Sequence, residues 1–281
     1  MPPRGVRWLT AILVVCPWHV YDNSRRGPAP HCVQGFMIFL ALSCLQSRPQ
    51  TLAFEELKSF PVDGIQLTPG CLPTPGFKEQ VGAYQGAIRL HHGFAWGAYR
   101  RDVYDDELRP IDIAAHHSVH PPSLHPTKGP RTPWRRQPRG SAGSPAFAPK
   151  DWLKIAREEE LLVETMYPGE ALGTGDELDY ALDLGLRLAV DVSHLNIQRA
   201  AGAITEAQLH RVLDSELVEE IHVSDNNGQR DQHRGLAETS YLLGWARERS
   251  AALPVVLESY WHRTPHAERV RQLELLFAIR S

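Results

Sequence analysis

Cysteine is scarce and falls near the first quarter of the chain. The four residues Cys16, Cys32, Cys44 and Cys71 contain no Cys-x-x-Cys pair. That spacing matches neither a disulfide framework nor a zinc knuckle, so a reducing, cytoplasmic setting is expected. Long apolar runs are also missing. The longest, Phe36 to Leu45, falls well short of the roughly 20 residues of a membrane span, so no membrane partner is expected. Trp8 to Cys16, behind Arg4 and Arg7, has the look of a secretory signal, but Pro17, Trp18 and His19 stand where small cleavage-site residues belong. Nor is there an excess of one charge: 30 basic residues against 33 acidic ones give −3. With 42% hydrophobic residues, that balance excludes a disordered chain. What the chain has in plenty is histidine, with 14.

Residues 1–36 show no hydrophobic period and read as an N-terminal extension outside the domain, which then spans 37–281. From Met37 onward, apolar runs of strand length recur at Met37–Leu42, Gly64–Leu67, Ala87–Leu90, Ile111–Ala115, Leu161–Val163, Leu186–Val190, Val218–Val223 and Val255–Leu257. Amphipathic stretches fall between many of them, at Asp151–Glu159, Gly175–Leu184, Thr205–Leu213, Ala237–Arg249 and Pro265–Phe277, with Thr174 and Thr205 placed as N-caps. Eight strands alternating with helices predict an α/β fold, a single-domain (β/α)8 TIM barrel. An open doubly wound sheet is the alternative, but no glycine-rich turn follows the first strand. The segment 121–149 breaks the rhythm with eight prolines, five basic residues and no acid, and reads as a long loop, either a disordered insertion or a lid over the barrel mouth.

Acids and histidines collect at the strand ends. His91 and His92 follow the third run, and His116, His117 and His120 the fourth. Glu164 ends the fifth and Asp191 the sixth, with His194 three residues on. His222 lies in the seventh, Asp231 and His233 in the loop after it, and Glu258 ends the eighth. In a barrel all of these converge on the C-terminal mouth, where active sites are built. Carboxylates that end apolar strands are costly to bury unless paired or bound to a cation, and mixed imidazole and carboxylate donors suit zinc, manganese or iron. Trp261, just past Glu258, is expected to line the mouth, and Trp245 to pack in a helix.

The ordered series Glu164, Asp191-x-x-His194, His222-x-x-Asp225, Asp231-x-His233 and Glu258 resembles the xylose isomerase-like TIM-barrel superfamily, and within it the endonuclease IV (AP endonuclease family 2) branch. The resemblance implies two or three divalent metal ions. Glu164 would bridge two of them, one completed by Asp191, His222 and Glu258 and the other by two upstream histidines. His194, Asp231 and His233 would hold a third. His92 and His120 are taken as the upstream pair, His92 because it precedes Gly93 and His120 because it opens His-Pro-Pro, with His91, His116 and His117 as alternatives. The reaction implied is that of a metal-dependent hydrolase or lyase on a phosphorylated or sugar-like small molecule. Sugar phosphate isomerases and epimerases of the superfamily use the Glu164, Asp191, His222, Glu258 quartet, with Glu164 and Glu258 as the catalytic proton carriers. Multinuclear iron oxidases that modify peptides show a similar series. Nucleic acid is not favoured as a partner: outside residues 1–36 and 121–149 the chain carries −11, whereas a duplex-binding mouth needs basic loops.

Overall fold

A computed structural model describes residues 37–92, 117–121 and 149–277. The N-terminal extension 1–36, the fourth apolar run Ile111–Ala115, His116, Trp96, Trp134 and nearly all of the proline-rich loop lie outside the described residues. Eight strands are present: β1 Ile38–Ala41, β2 Gly64–Leu67, β3 Ala87–His92, β4 His117–Val119, β5 Leu162–Glu164, β6 Arg187–Asp191, β7 Val218–Val223 and β8 Val255–Leu257. Every neighbouring pair is parallel, and β8 pairs back onto β1. The expected (β/α)8 barrel is the fold.

The helices described are α1 Gln50–Leu57, α2 Phe77–Gly82, α3 Pro149–Glu158, α4 Gly175–Leu184, α5 Val192–Ala200, α6 Glu206–Leu213, α7 Leu243–Arg249 and α8 His266–Phe277. Their ends follow local chemistry. The Thr174 hydroxyl accepts from the Glu177 amide to start α4, and Gly185, at φ 75°, ends it in a left-handed turn. Thr205 and Gln208 form a reciprocal capping box on α6. α7 starts at Leu243, six residues later than the pattern from Ala237 suggests. Ahead of it, the Ala237 amide is bound to the Ser240 hydroxyl in a turn. Among the described residues, no helix is long and apolar enough to cross a membrane. Cys44 and Cys71 are free thiols, as their spacing implies.

Strand alternation divides the side chains into two sets. Ile65, Leu90, Val119, Val163, Val190, Ile221 and Leu257 pack in the main core with helix residues such as Leu178, Leu209 and Leu273. The other set fills the barrel. At its floor Phe39 lies beside Gly64, its register partner on β2. A Cβ at Gly64 would fall 2.6 Å from the Phe39 ring and 2.1 Å from the Ala87 carbonyl oxygen, so the position admits no side chain. Above the floor sits a polar layer of Gln66, Arg89, Ser118 and Glu220, and above that the strand-end acids and histidines. Gly64→Ala is expected to destabilise the fold by about 1–3 kcal/mol through overpacking. The readout is the urea midpoint, and an unchanged midpoint would contradict this close approach of β2 to its neighbours.

Candidate metal centre

The mouth is assembled from the strand ends and strand-to-helix junctions described above. Glu164 is the last residue of β5 and is buried. Asp191 ends β6 and also caps α5: its Oδ1 accepts from the amides of Ser193 at 2.6 Å and His194 at 3.1 Å. That double duty leaves Oδ2 facing the barrel axis. The loop after β7 is closed by paired backbone hydrogen bonds between Asp225 and Arg234, so Asp231 and His233 are presented from a tied hairpin. His233 sits at φ 44°, a left-handed conformation uncommon outside glycine, and its carbonyl accepts from the Tyr260 amide at 2.8 Å.

Two groups of donor atoms meet at Glu164. His91, His120 and Glu164 form one, and Glu164, Asp191, His222 and Glu258 the other, with the donor atoms of each group all within 4.8 Å of one another. Glu164 Oε2 lies 2.9 Å from His120 Nε2, 3.3 Å from His91 Nε2 and 3.5 Å from His222 Nδ1. A third set adjoins them. Asp231 Oδ2 is 3.1 Å from His233 Nε2 and 3.5 Å from His194 Nε2, and the latter is 3.7 Å from Asp191 Oδ2. His194 Nδ1 lies 2.8 Å from the Thr165 carbonyl oxygen, which can only accept, so Nδ1 donates and Nε2 is the nitrogen left to offer a lone pair to a cation once deprotonated.

Burial and neighbouring opposite charges dominate the electrostatics. Burial alone would raise the pKa of Glu164, but the neighbouring imidazoles of His120, His222 and His91 hold it well below the carboxylate range. Burial opposes ionisation of Asp231 too, yet its contacts with His194 and His233 lower it. Burial depresses the His91 imidazole and would depress His222, where the Glu258 and Glu164 carboxylates overcome it and raise the value. Several buried atoms here make no well-aligned hydrogen bond, although histidines or carboxylates lie close to some of them: both oxygens of Glu164, Asp191 Oδ2, Asp231 Oδ1, His194 Nε2, and Nδ1 of His222 and of His233. Buried polar atoms are ordinarily satisfied. Lone pairs of four carboxylates and several imidazoles aimed at shared points are what a divalent transition-metal ion satisfies, so the residues fit such an ion.

Eight of the nine residues expected at the site are brought together, and His92 is not among them. Strand alternation explains the difference: Arg89 and His91 face the barrel interior, so His92 turns to the other side of β3. On β4 the same alternation puts Ser118 and His120 inside, because the strand runs through His117–Val119 and His120 directly follows it. Trp261 does not line the mouth. It is fully buried, with its indole N–H on Gln272 Oε1 at 2.9 Å. Residues that the strand-end pattern passes over are Glu220, Arg89, Gln66 and Ser118 beneath the candidate donors, and Tyr167 and Tyr260 beside them. The Tyr167 ring meets His194 edge-on at 5.0 Å, and Tyr260 lies 4.6 Å from His233. A cavity of about 780 Å³ opens next to Asp231, lined in part by Tyr167, Ile197, Asn227 and Arg230.

No protein-family model matches the chain, and no curated protein sequence does. Solved structures with a similar chain path include the TTHB071 protein of Thermus thermophilus, from crystals soaked in zinc chloride, with a TM-score of 0.49 and 16% identity over 87% of this chain and all of that one. Another is a candidate sugar phosphate isomerase/epimerase of Anabaena variabilis, with a TM-score of 0.43 and 13% identity over 87% of this chain and 88% of that one. The barrel is established by its own strand pairing, independently of these likenesses.

In the chelator-treated protein, folding raises the pKa of His222, His194, His233 and Glu258, and the last two mark the pH range. Burial opposes protonation of His233, but its hydrogen bond with Asp231 lifts the pKa from 6.5 to about 9. Burial raises Glu258 from 4.5 to about 7, with Glu164 reinforcing it against His222. A group whose pKa is raised on folding stabilises the fold below its unfolded value, and that contribution is lost as pH rises through the folded one. The Tm of chelated protein is therefore expected to fall from pH 6 to 9.5, and adding a divalent metal should shrink that fall, since metal and protons compete for the same atoms. A flat or rising profile without metal would contradict the assignment.

Proposed function

We propose that this protein is a metal-dependent enzyme with at least two divalent ions at the barrel mouth, acting on a small phosphorylated or sugar-like substrate by hydrolysis or elimination. The observation that carries the proposal is the sharing of Glu164 between two complete donor groups, His91 with His120 on one side and Asp191, His222 and Glu258 on the other. Zinc, manganese and iron all suit this donor set. Bound there, such ions supply Lewis acidity and lower the pKa of water toward neutrality. The chain's own part is to hold the donors rigidly, to bury them away from bulk water, and to place the tyrosines Tyr167 and Tyr260 at the rim. The cavity beside Asp231 gives room for a small ligand, and the acidity of the chain outside residues 1–36 and 121–149 speaks against duplex DNA.

A second reading has its own observation. The quartet Glu164, Asp191, His222 and Glu258 is complete by itself, and it places two carboxylates at one site where they could pass a proton between adjacent carbons of a sugar phosphate. Turnover in heavy water separates the two. Metal-restored protein would be assayed on a panel of phosphomonoesters and of aldose and ketose phosphates. Hydrolysis is expected to release a group and leave no deuterium on carbon, and elimination to release a group with label on carbon, whereas carbon-bound deuterium in a product that has lost no group would overturn both in favour of isomerisation. Glu258→Gln is expected to lower kcat by about 10²–10⁴ in either case; a fully active variant would contradict both readings.

A further inference from the structure

Beneath the ligands lies a polar layer that filling the barrel does not require, since the neighbouring interior positions are apolar, among them Phe39, Leu162 and Val256. Its centre is Glu220 on β7, fully buried and two residues before His222 on the same side of the strand. One carboxylate oxygen takes the guanidinium of Arg89. The other lies 2.8 Å from Gln66 Nε2 and 2.6 Å from His222 Nε2. An ionised carboxylate only accepts, so His222 carries its proton on Nε2. Its Nδ1 lone pair is thereby turned toward the mouth, 3.5 Å from an oxygen of Glu164 and 3.5 Å from one of Glu258. Arg89 makes the buried carboxylate tenable, and its guanidinium lies 5.5 Å from the centre of the Phe39 ring on the barrel floor. The layer also reaches the other donor group. Gln66 Nε2 is 3.5 Å from Ser118 Oγ, which lies 2.9 Å from His91 Nδ1.

We propose that the Arg89–Glu220 pair is a positioning device for the metal centre. It locks the tautomer and ring orientation of His222 from below and thereby sets the affinity of the Glu164, Asp191, His222, Glu258 group for its cation. The proposal rests on the metal reading above and goes beyond it in assigning a role to residues that touch no metal. An apolar layer of equal volume is often as stable as a buried ion pair or more so, so stability alone does not explain why a charged pair occupies this level. A hydrogen-bond acceptor behind a ligating histidine typically governs affinity by 10- to 100-fold.

The test uses full-length protein titrated with cobalt(II), read by its visible absorption and by competition with a chelating dye. Three variants are compared with wild type: Glu220→Gln, the double variant Arg89→Met with Glu220→Met, and Glu219→Gln as a control. Glu219 is adjacent in sequence but pairs with Arg187 at the start of β6, away from the ligands. The first two variants are expected to lose about 10- to 100-fold in affinity with an altered cobalt spectrum, and the control to bind as wild type. The double variant leaves no lone buried charge, so it decides the matter where Glu220→Gln fails to fold. In zinc-loaded wild type labelled with ¹⁵N-histidine, His222 is expected to be protonated at Nε2, whatever the variants do. Wild-type affinity in the folded double variant, equal loss in the control, or a His222 proton on Nδ1 would overturn the positioning role alone. A wild type that binds no cobalt would overturn the metal reading, and this proposal with it.

Discussion

Three carboxylates, Glu164, Asp191 and Glu258, are buried at one end of a closed barrel, with Asp231 at their edge. Like charges in so small a volume repel strongly, and burial removes the water that would otherwise screen them. Among the described residues, no arginine or lysine is paired with them to answer that repulsion; Arg89 is committed to Glu220 one layer below. Imidazoles surround them instead. Either those imidazoles take up protons, as the raised values of His222, His194 and His233 show they would without a cation, or divalent ions take the protons' place. The arrangement makes sense only with positive charge at its centre.

The barrel makes this concentration of charge possible by layering. Phe39 and Gly64 close the floor, Gln66, Arg89, Ser118 and Glu220 form a hydrogen-bonded middle, and the strand-end acids and histidines form the top. Each level constrains the next through the strands that carry both: Arg89 with His91 on β3, Ser118 with His120 at the end of β4, and Glu220 with His222 on β7. Parallel strands with period-two alternation turn a two-residue spacing in sequence into a one-layer step toward the mouth. Apart from Asp231 and His233, the donors are therefore set on the strands near their ends and on the cap and first turn of α5. Asp231 and His233 sit on a hairpin held by Asp225 and Arg234.

How much of this the sequence discloses depends on the strand. β5, β6 and β8 are short apolar runs that end in, or lead directly into, Glu164, Asp191 and Glu258, so the change from apolar to acidic marks both the strand end and the site. On β3 two histidines are adjacent, and only the alternation set by Arg89 distinguishes His91 from His92. That arginine in an apolar strand is a signal for the buried layer as well, as is the Glu220-x-His222 spacing. α5 is hard to see because Asp191 reads as a ligand, whereas the same carboxylate also caps the helix. The position of Trp261 after Glu258 suggests the mouth, while its partner Gln272 lies farther along the chain on α8 and holds it in the core. Pairing of that kind has no local trace.

The proposed sharing of Glu164 between two cations can be observed directly. Crystals grown with zinc and measured on both sides of the zinc absorption edge would locate every bound ion directly. Two anomalous peaks are expected to flank Glu164, one toward His91 and His120 and one within the group of Asp191, His222 and Glu258. A single peak on one side of Glu164, or zinc bound elsewhere with these residues bare, would contradict that sharing.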